Sequence, residues 1–197
     1  MKAEVPYITT AFFPWVSMRS NYPEKIVHLQ LRLTQYNPLS LTTPKLHSSA
    51  VLIILFNKND ALHLIMTARN SNLNHHPGEM SFPGGRWDDS LDSSLRETAL
   101  REAYEEIGVT LQNLEIMGRL NDLPTITGYC VRPFVAFYHG EIPIVYTRNP
   151  IEVEEIVEIP LSFLRSLDHF EEKHHRINGK VEFITLHFDF HKRSKNY

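Results

Sequence analysis

Residues 101–108 read REAYEEIG, with three glutamates and one arginine in eight residues. This stretch closes the clearest helical pattern in the sequence, residues 95–107, and Gly108 follows where helices favour glycine. On a helical wheel three carboxylates fall on one side, namely Glu102, Glu105 and Glu106. The opposite side carries the residues expected to face the core, namely Leu100, Ala103, Tyr104 and Ile107.

Three clustered carboxylates often form only a solvent-exposed charged face, but two energetic costs weaken that explanation. Glu102 and Glu106 are like charges four residues apart, which destabilises a helix by about 0.2–0.5 kcal/mol. Glu105 and Glu106 also lie in the last turn, where the helix dipole costs each carboxylate about 0.3–1 kcal/mol. A bound cation would offset both costs. Carboxylate oxygens suit Mg²⁺ or Mn²⁺ rather than Zn²⁺, and the sequence has no Cys/His zinc motif.

Composition excludes several classes of function. The chain has 197 residues, 42% hydrophobic and 22% charged, which predicts one globular domain with a sizeable core. Its net charge of −3 offers no basic surface for nucleic acid or an anionic membrane. No apolar run reaches the roughly 20 residues of a membrane span, and the first residues lack signal-peptide order. With its single cysteine, Cys130, the chain is expected to be cytoplasmic.

The hydrophobic pattern predicts strands interleaved with helices around one long loop. A helix at about 23–36 precedes a hairpin at 49–67, whose first strand is a continuous apolar run. Residues 68–93, rich in Asn, Gly, Pro and Asp, form a long loop of the kind that is usually functional. The later elements are strands at 114–120, 130–138 and 153–159, a short helix at 160–167 and a strand at 181–190. This order predicts an α/β domain with a mixed sheet.

The long loop ends in a glycine pair that completes a recognisable motif. Residues 82–86 read FPGGR, and glycines there let the backbone approach a ligand or present a carbonyl group. Together with residues 101–109 they resemble the Nudix box, the loop–helix–loop signature of hydrolases that cleave a diphosphate linked to another group. The second half of the box is matched at every position by residues 101–109.

The first half of the box departs from the family pattern. Fifteen residues separate Gly85 from Arg101, two more than is usual in the family. Ser93 occupies the position of the upstream glutamate that normally pairs with the arginine and orients the helix. Asp92 and Glu97 are the candidates to replace it.

A narrower resemblance is to the coenzyme A pyrophosphatase subfamily. Residues 64–69 (LIMTAR), 76–79 (HPGE) and 81–85 (SFPGG) are similar to its L-L-T-x-R and G-E-x-x-F-P-G-G patterns. Residues 123–135 and 149–153 (NPIEV) are similar to later parts of the same subfamily.

The resemblance implies a Nudix fold, with a mixed β-sheet sandwiched between helices. It assigns residues 48–197 to the hydrolase domain and residues 1–47 to an N-terminal extension with one helix, packed on the same domain. The tail VEFITLHFDFHKRSKNY, residues 181–197, departs from the subfamily, which usually continues into an aromatic-Gly-x-Thr segment and a helix. We therefore expect a shortened C-terminus.

The resemblance also implies hydrolysis by water with Mg²⁺ or Mn²⁺ as cofactor. The implied metal ligands are Glu102, Glu105, Glu106 and the Gly85 carbonyl. Arg101 would orient the helix through a carboxylate. The general base stays open among Glu102, Glu152 and Glu155.

Several loop residues are candidates for substrate binding. Arg69 and Arg86 could bind phosphates, which arginine does bidentately. Gly84 and Gly85 would allow close approach of the substrate. Glu79 either supports the site or adds a ligand. His75 and His76 are interpreted as ordinary loop histidines.

The expected substrate is coenzyme A or an acyl-CoA, cleaved to 4′-phosphopantetheine and adenosine 3′,5′-bisphosphate. Two alternatives remain: a Nudix hydrolase of another substrate, such as ADP-ribose, NADH or a damaged nucleotide, and an inactive nucleotide-binding module. The expected partner is a small nucleotide-diphosphate molecule rather than nucleic acid or a membrane. A monomer and a homodimer are both compatible with the sequence.

Overall fold

The fold is given by a computed structural model that describes residues 22–41, 45–71, 79–166, 170–177 and 180–188, the last two ranges by their backbone. Its helices are α1 (Glu24–Gln35), α2 (Leu95–Ile107) and α3 (Leu161–Arg165). Its strands are β1 (His47–Lys58), β2 (Ala61–Arg69), β3 (Met80–Ser81), β4 (Gly84–Arg86), β5 (Leu114–Arg119), β6 (Leu123–Pro124), β7 (Tyr129–Tyr138), β8 (Val153–Pro160), β9 (Phe170–Ile177) and β10 (Lys180–Phe188). Within these ranges no helix has the length and apolar character needed to cross a bilayer.

One mixed sheet organises these elements. Its main strand order is β3-β2-β1-β7-β5, while β4 pairs with β1, β6 with β7 and β8 with β2. β1 and β7 are parallel, and the other pairs are antiparallel. β9 and β10 form a separate antiparallel pair. The predicted mixed-sheet α/β architecture is confirmed.

β1 is apolar along its length because both of its faces are covered. Leu52, Ile54 and Phe56 lie in a core cluster with residues of α2. Ile53 and Leu55 alternate with them and pack in a second cluster that includes Ile26 of α1 and residues of α3. The sheet is therefore sandwiched between α2 on one face and α1 and α3 on the other, as predicted.

The predicted hairpin is confirmed with a tight turn. Lys58 pairs with Ala61, so the loop between β1 and β2 has two residues. Asn59 and Asp60 have φ angles of 51° and 59°. Positive φ at both central residues is what a type I′ turn requires, and its twist matches that of the strands.

α2 has the predicted bounds because its end signals are local. The Ser94 side chain accepts a hydrogen bond from the Glu97 N–H at the start, and Gly108 ends the helix in the left-handed conformation with φ 65°. The interpretation of Tyr104 as a core residue is wrong, since its side chain is exposed while Glu106 is buried. The helix packs through Ala99 and Ala103, which turns Tyr104 outward.

Two predictions of local structure need correction. The predicted loop 68–93 contains two short strands, β3 and β4, which pair with β2 and β1. β9 was not predicted because its sequence FEEKHHRI lacks apolar alternation, and only its pairing with β10 makes it a strand. The strand predicted at 181–190 corresponds to β10, and residues 189–190 lie outside the described residues.

Gly108→Ala is expected to destabilise the protein more than Gly128→Ala. Both glycines have positive φ, which costs a residue with a β-carbon about 1–2 kcal/mol. At Gly108 the new β-carbon would also lie 2.5 Å from the β-carbon of Thr147, whereas at Gly128 nothing lies within 4 Å. Urea unfolding of the two variants measures the difference. Equal losses of unfolding free energy would contradict the close packing of Thr147 on the end of α2.

Candidate active site

The α2 carboxylates face β4 to different depths. Glu106 is only 4% exposed, and the side chains of Glu102 and Glu105 are 15% and 45% exposed. The Gly84 N–H donates to Glu106 Oε2 at 3.4 Å. The acidic face of α2 is therefore a built site rather than a solvated surface.

The glycine pair in β4 lets the backbone fit against this carboxylate face. A β-carbon on Gly85 would lie 2.3–2.5 Å from atoms of the Glu102 carboxyl group. A β-carbon on Gly84 would lie 2.3 Å from the Ala50 carbonyl oxygen of β1. Gly84 therefore requires glycine, because the close atoms belong to the backbone of β1, whereas a side chain at Gly85 would displace the Glu102 carboxyl group. The backbone of Gly85 and the carboxylate of Glu102, both predicted metal ligands, are thus in contact.

The site holds more negative charge than the protein neutralises. Burial, followed by the charges of Glu102 and Glu152, raises the pKa of Glu106 to about 8. Burial also raises the pKa of Glu102, although the neighbouring Arg101 guanidinium opposes the shift. Buried carboxylates with raised pKa values are typical of functional sites, and a bound cation would favour their charged forms.

Arg101 forms a bidentate ion pair with Asp92. Its Nε donates to Asp92 Oδ1 at 2.8 Å and its Nη2 to Oδ2 at 2.9 Å. Its Nη1 donates to Glu102 at 2.9 Å and to Glu105 at 3.0 Å, and its Nη2 also donates to the Arg86 carbonyl at 3.3 Å. Of the two proposed replacements for the usual glutamate, Asp92 therefore holds the arginine.

Asp92 is itself held by the loop and the start of α2. Its carboxylate accepts hydrogen bonds from the Thr98 hydroxyl at 2.9 Å and from the Asp88 N–H at 3.0 Å. Burial alone would raise the pKa of Asp92, but the hydrogen bonds from Arg101, the loop backbone and Thr98 lower it. Glu97, the other candidate, instead accepts from the N–H and hydroxyl of Ser93 at 2.9 and 2.6 Å.

A second loop brings Glu152 to the same site. The Asn149 N–H donates to the Glu106 carbonyl at 2.9 Å, which fixes the loop to the end of α2. The Asn149 side-chain amide then donates to Glu152 Oε1 at 3.1 Å. The Asn70 N–H donates to the Glu152 carbonyl at 2.9 Å. The charge of Glu152 acts on both Glu102 and Glu106.

The other candidates are distributed around this centre. Arg69, at the end of β2, lies close enough to Glu106 for its charge to lower the carboxyl pKa. The Arg69 N–H donates to the Glu79 carbonyl at 3.0 Å. Glu155 is exposed on β8, and the Arg86 side chain donates to His47 rather than to any α2 carboxylate. His75 and His76 lie outside the described residues.

Two residues of the site were not predicted from the sequence. Asn149 belongs to the motif of residues 149–153, and its spacing from Glu152 fits a side chain that caps the turn. His47 gave no signal at all, because its contact with Arg86 depends on the pairing of β1 with β4.

The donor set suits a hard divalent cation. In the described part of the chain, no three His, Cys, Asp or Glu side chains are arranged to hold a metal ion as they stand, and Arg101 bridges Glu102 and Glu105. The chemistry nevertheless fits, since the Glu102 carboxylate lies against the Gly85 backbone and Glu106 is buried with a raised pKa. A cleft of about 370 Å³ opens beside them, lined by Arg86, Trp87, Asp88, Asp89, Arg101 and Glu102.

Comparison with known families identifies the class of protein. Residues 46–179 match the NUDIX domain. The chain therefore belongs to the NUDIX family, has the Nudix fold and is a hydrolase of nucleoside diphosphate derivatives that cleaves the diphosphate linkage.

Two relatives and one solved structure illustrate the similarity. The chain is 35% identical over 133 residues to uncharacterized Nudix hydrolase NudL of Photorhabdus laumondii, a match that covers 68% of each chain. It is 37% identical over 140 residues to the protein of the same name in Yersinia enterocolitica, covering 70% of this chain and 67% of the relative. Among solved structures, the NUDIX domain of Shewanella oneidensis NrtR complexed with ADP ribose gives a TM-score of 0.49 at 18% identity, covering 75% of this chain and 83% of that one.

Asp92→Asn is expected to lower both stability and activity, because it leaves the Arg101 guanidinium without its most buried partner. Asp92 and Arg101 side chains are 1% and 11% exposed, and breaking such a pair costs roughly 3 kcal/mol. Urea unfolding and a diphosphatase assay measure the two losses. Glu141→Gln, an exposed change at a residue that does not line the cleft, serves as the control. Equal stability of the two variants would contradict the role of Asp92.

Glu106→Gln is expected to stabilise the metal-free protein at pH 8 but not at pH 4. The folded-state pKa of Glu106, about 8, exceeds that of the unfolded chain, so the folded state binds more protons between these values. Stability contributed by protonated Glu106 is therefore lost as pH rises from about 4.3 towards 8. Glutamine removes this loss, which is on the order of a few kcal/mol.

Urea unfolding of wild type and Glu106→Gln, both in the presence of a chelator, measures the effect at each pH. A wild-type stability that does not fall over this range relative to the variant would contradict burial of an uncompensated carboxylate.

Proposed function

We propose that this chain hydrolyses coenzyme A or acyl-CoA to a 4′-phosphopantetheine product and adenosine 3′,5′-bisphosphate, in the cytoplasm and with Mg²⁺ or Mn²⁺. The observation that carries the chemistry is the buried Glu106 beside Glu102 and Glu152, pressed against the Gly84–Gly85 backbone. The choice of substrate is supported by the motif of residues 64–85, which is similar to that of the coenzyme A pyrophosphatases.

In this proposal Glu102, Glu106 and the Gly85 carbonyl hold the cation, and Glu105 completes the set from the edge of the cleft. When bound, the divalent ion neutralises charge on the diphosphate oxygens and makes water more acidic. Nη1 of Arg101 donates to both Glu102 and Glu105 and so holds the two carboxylates together. The raised pKa of Glu106 supports this assignment, since it reflects an unmet need for positive charge.

Glu152 is our choice of general base. Its Oε1 is oriented by the Asn149 amide, and it has no guanidinium among its hydrogen-bond partners in the described chain, unlike Glu102. Glu152 would take a proton from water as the water oxygen attacks one phosphorus. The bond from that phosphorus to the bridging oxygen breaks, and the bridging oxygen leaves with the other phosphate.

Arg69 is proposed to bind a phosphate of the substrate. It stands at the end of β2, where Ala68 and Arg69 pair with β8 just after the Glu152 loop. Its charge reaches Glu106, so an anion held by Arg69 would lie near the carboxylates. Glu79 is placed beside it by the backbone hydrogen bond between them.

The direct test is to incubate the protein with coenzyme A and Mg²⁺ or Mn²⁺ and to separate the products by chromatography. We expect 4′-phosphopantetheine and adenosine 3′,5′-bisphosphate, and no products after chelation. ADP-ribose, NADH and an oxidised nucleotide complete the panel. Cleavage of one of these without cleavage of coenzyme A would overturn the substrate assignment.

Replacing any of the three α2 glutamates by glutamine is expected to lower kcat about a hundredfold or more, because each removes charge needed to hold the cation. Such a loss corresponds to about 2.7 kcal/mol of transition-state stabilisation. Glu141→Gln, an exposed change away from these elements, should retain wild-type kcat. Near-wild-type kcat in all three α2 variants would refute the metal assignment.

A further inference from the structure

The side chain of Arg86 is directed away from the α2 carboxylates. In the pairing of β4 with β1, Gly85 lies opposite Ala50 and Arg86 opposite Ser49. Successive residues of a strand point to opposite faces of the sheet. Since Gly85 faces Glu102, Arg86 projects from the other face. Its guanidinium is therefore turned away from the position proposed for the diphosphate.

Arg86 keeps its positive charge available. Its Nη2 donates to His47 Nδ1 at 3.2 Å, and no carboxylate forms an ion pair with it within the described residues. By contrast, Arg101 is paired with Asp92 and Arg132 with Asp122. An exposed guanidinium with spare N–H groups and no carboxylate partner is suited to bind an anion from solution.

The contact with Arg86 also determines how His47 can meet a ligand. A guanidinium can only donate, so Nδ1 of His47 is the acceptor of this hydrogen bond. The other ring nitrogen, Nε2, is then the one left to donate. His47 therefore offers a second donor, Nε2–H, beside the guanidinium, and the two together can bind one phosphate.

Tyr129 supplies an aromatic surface next to these donors. His47 and Tyr129 are partners in the parallel pairing of β1 and β7, with ring centroids 5.8 Å apart. The His47 N–H donates to the Gly128 carbonyl at 2.9 Å, which holds the start of β1 in place. Three adjacent strands, β4, β1 and β7, thus present Arg86, His47 and Tyr129 on one face.

A substrate at the carboxylates can extend to this face. β4 has three residues and pairs, among the described strands, with β1 alone. Its other edge forms no strand pairing within the described residues, and Gly85, which contacts Glu102, is adjacent in sequence to Arg86. The Arg86 carbonyl accepts from Arg101, so the backbone of the same residue borders the catalytic cleft.

We infer that Arg86 and His47 bind a phosphomonoester on the nucleotide half of the substrate, separate from the diphosphate that is cleaved, with Tyr129 against the attached nucleoside. This rests on the proposed function and deepens it. In coenzyme A the matching group is the 3′-phosphate. The subsite would therefore make the enzyme prefer coenzyme A over substrates that lack that group.

Calorimetric titration with adenosine 3′,5′-bisphosphate and adenosine 5′-monophosphate, both with Mg²⁺, tests the subsite directly. The wild type is expected to bind the bisphosphate about tenfold to a hundredfold more tightly, the value of one or two charge-assisted hydrogen bonds. Arg86→Gln should remove most of this preference while leaving the monophosphate affinity within about twofold. Arg86→Lys should keep part of it, since charge remains but the planar fork is lost.

Two further variants separate the parts of the subsite. His47→Phe keeps a ring against Tyr129 but removes the Nε2–H donor, and it should lower only the bisphosphate affinity. Arg32→Gln, an exposed change on α1, should leave both affinities unchanged. Equal wild-type affinity for the two nucleotides, or equal weakening of both by Arg86→Gln in a folded variant, would overturn the inference.

Kinetics distinguish failure of the subsite from failure of the proposed function. Wild-type protein that cleaves coenzyme A and its 3′-dephosphorylated form with equal kcat/KM would refute the subsite and leave the diphosphatase function standing. Wild-type protein that cleaves neither compound would refute the proposed function, and the nucleotide titrations would then decide the subsite alone.

Discussion

The ion pair between Arg101 and Asp92 is the interaction on which the arrangement of the site depends. One planar guanidinium contacts the loop through Asp92, β4 through the Arg86 carbonyl, and α2 through Glu102 and Glu105. Because its donors have fixed directions, the guanidinium sets the relative positions of all three segments. A lysine could neutralise the same charge but could not impose this geometry.

Packing of α2 against the sheet offsets the unfavourable free energy of burying its carboxylates. α2 buries Ala99, Ala103 and Ile107 against β1, and the same packing forces Glu106 out of water. A helix selected for stability alone would carry an apolar residue at that position. The raised pKa of Glu106 therefore records a conflict between folding and function, of the kind that binding a cation resolves.

The sequence predicted what is decided locally and failed where distant segments meet. The bounds of α2 followed from its helical pattern and Gly108, and the β1–β2 hairpin from its turn. β9 was not predicted, because only its pairing with β10 makes this segment a strand. The cluster of carboxylates followed from helical spacing, but the choice of Asp92 required the folded loop. The contact of His47 with Tyr129 depends on parallel strands 82 residues apart in sequence, which no local pattern encodes.

The proposed catalytic contacts and the inferred phosphate-binding contacts lie on opposite faces of β4. Gly84 and Gly85 contribute through their backbone, because any side chain there would collide with β1 or Glu102. Arg86, the next residue, contributes through a side chain on the opposite face. Since its partners lie on the first residues of β1 and β7, they can change without disturbing the contact of Gly85 with Glu102. If the proposed roles hold, a change of substrate preference at Arg86 and its partners would leave the proposed carboxylate site intact.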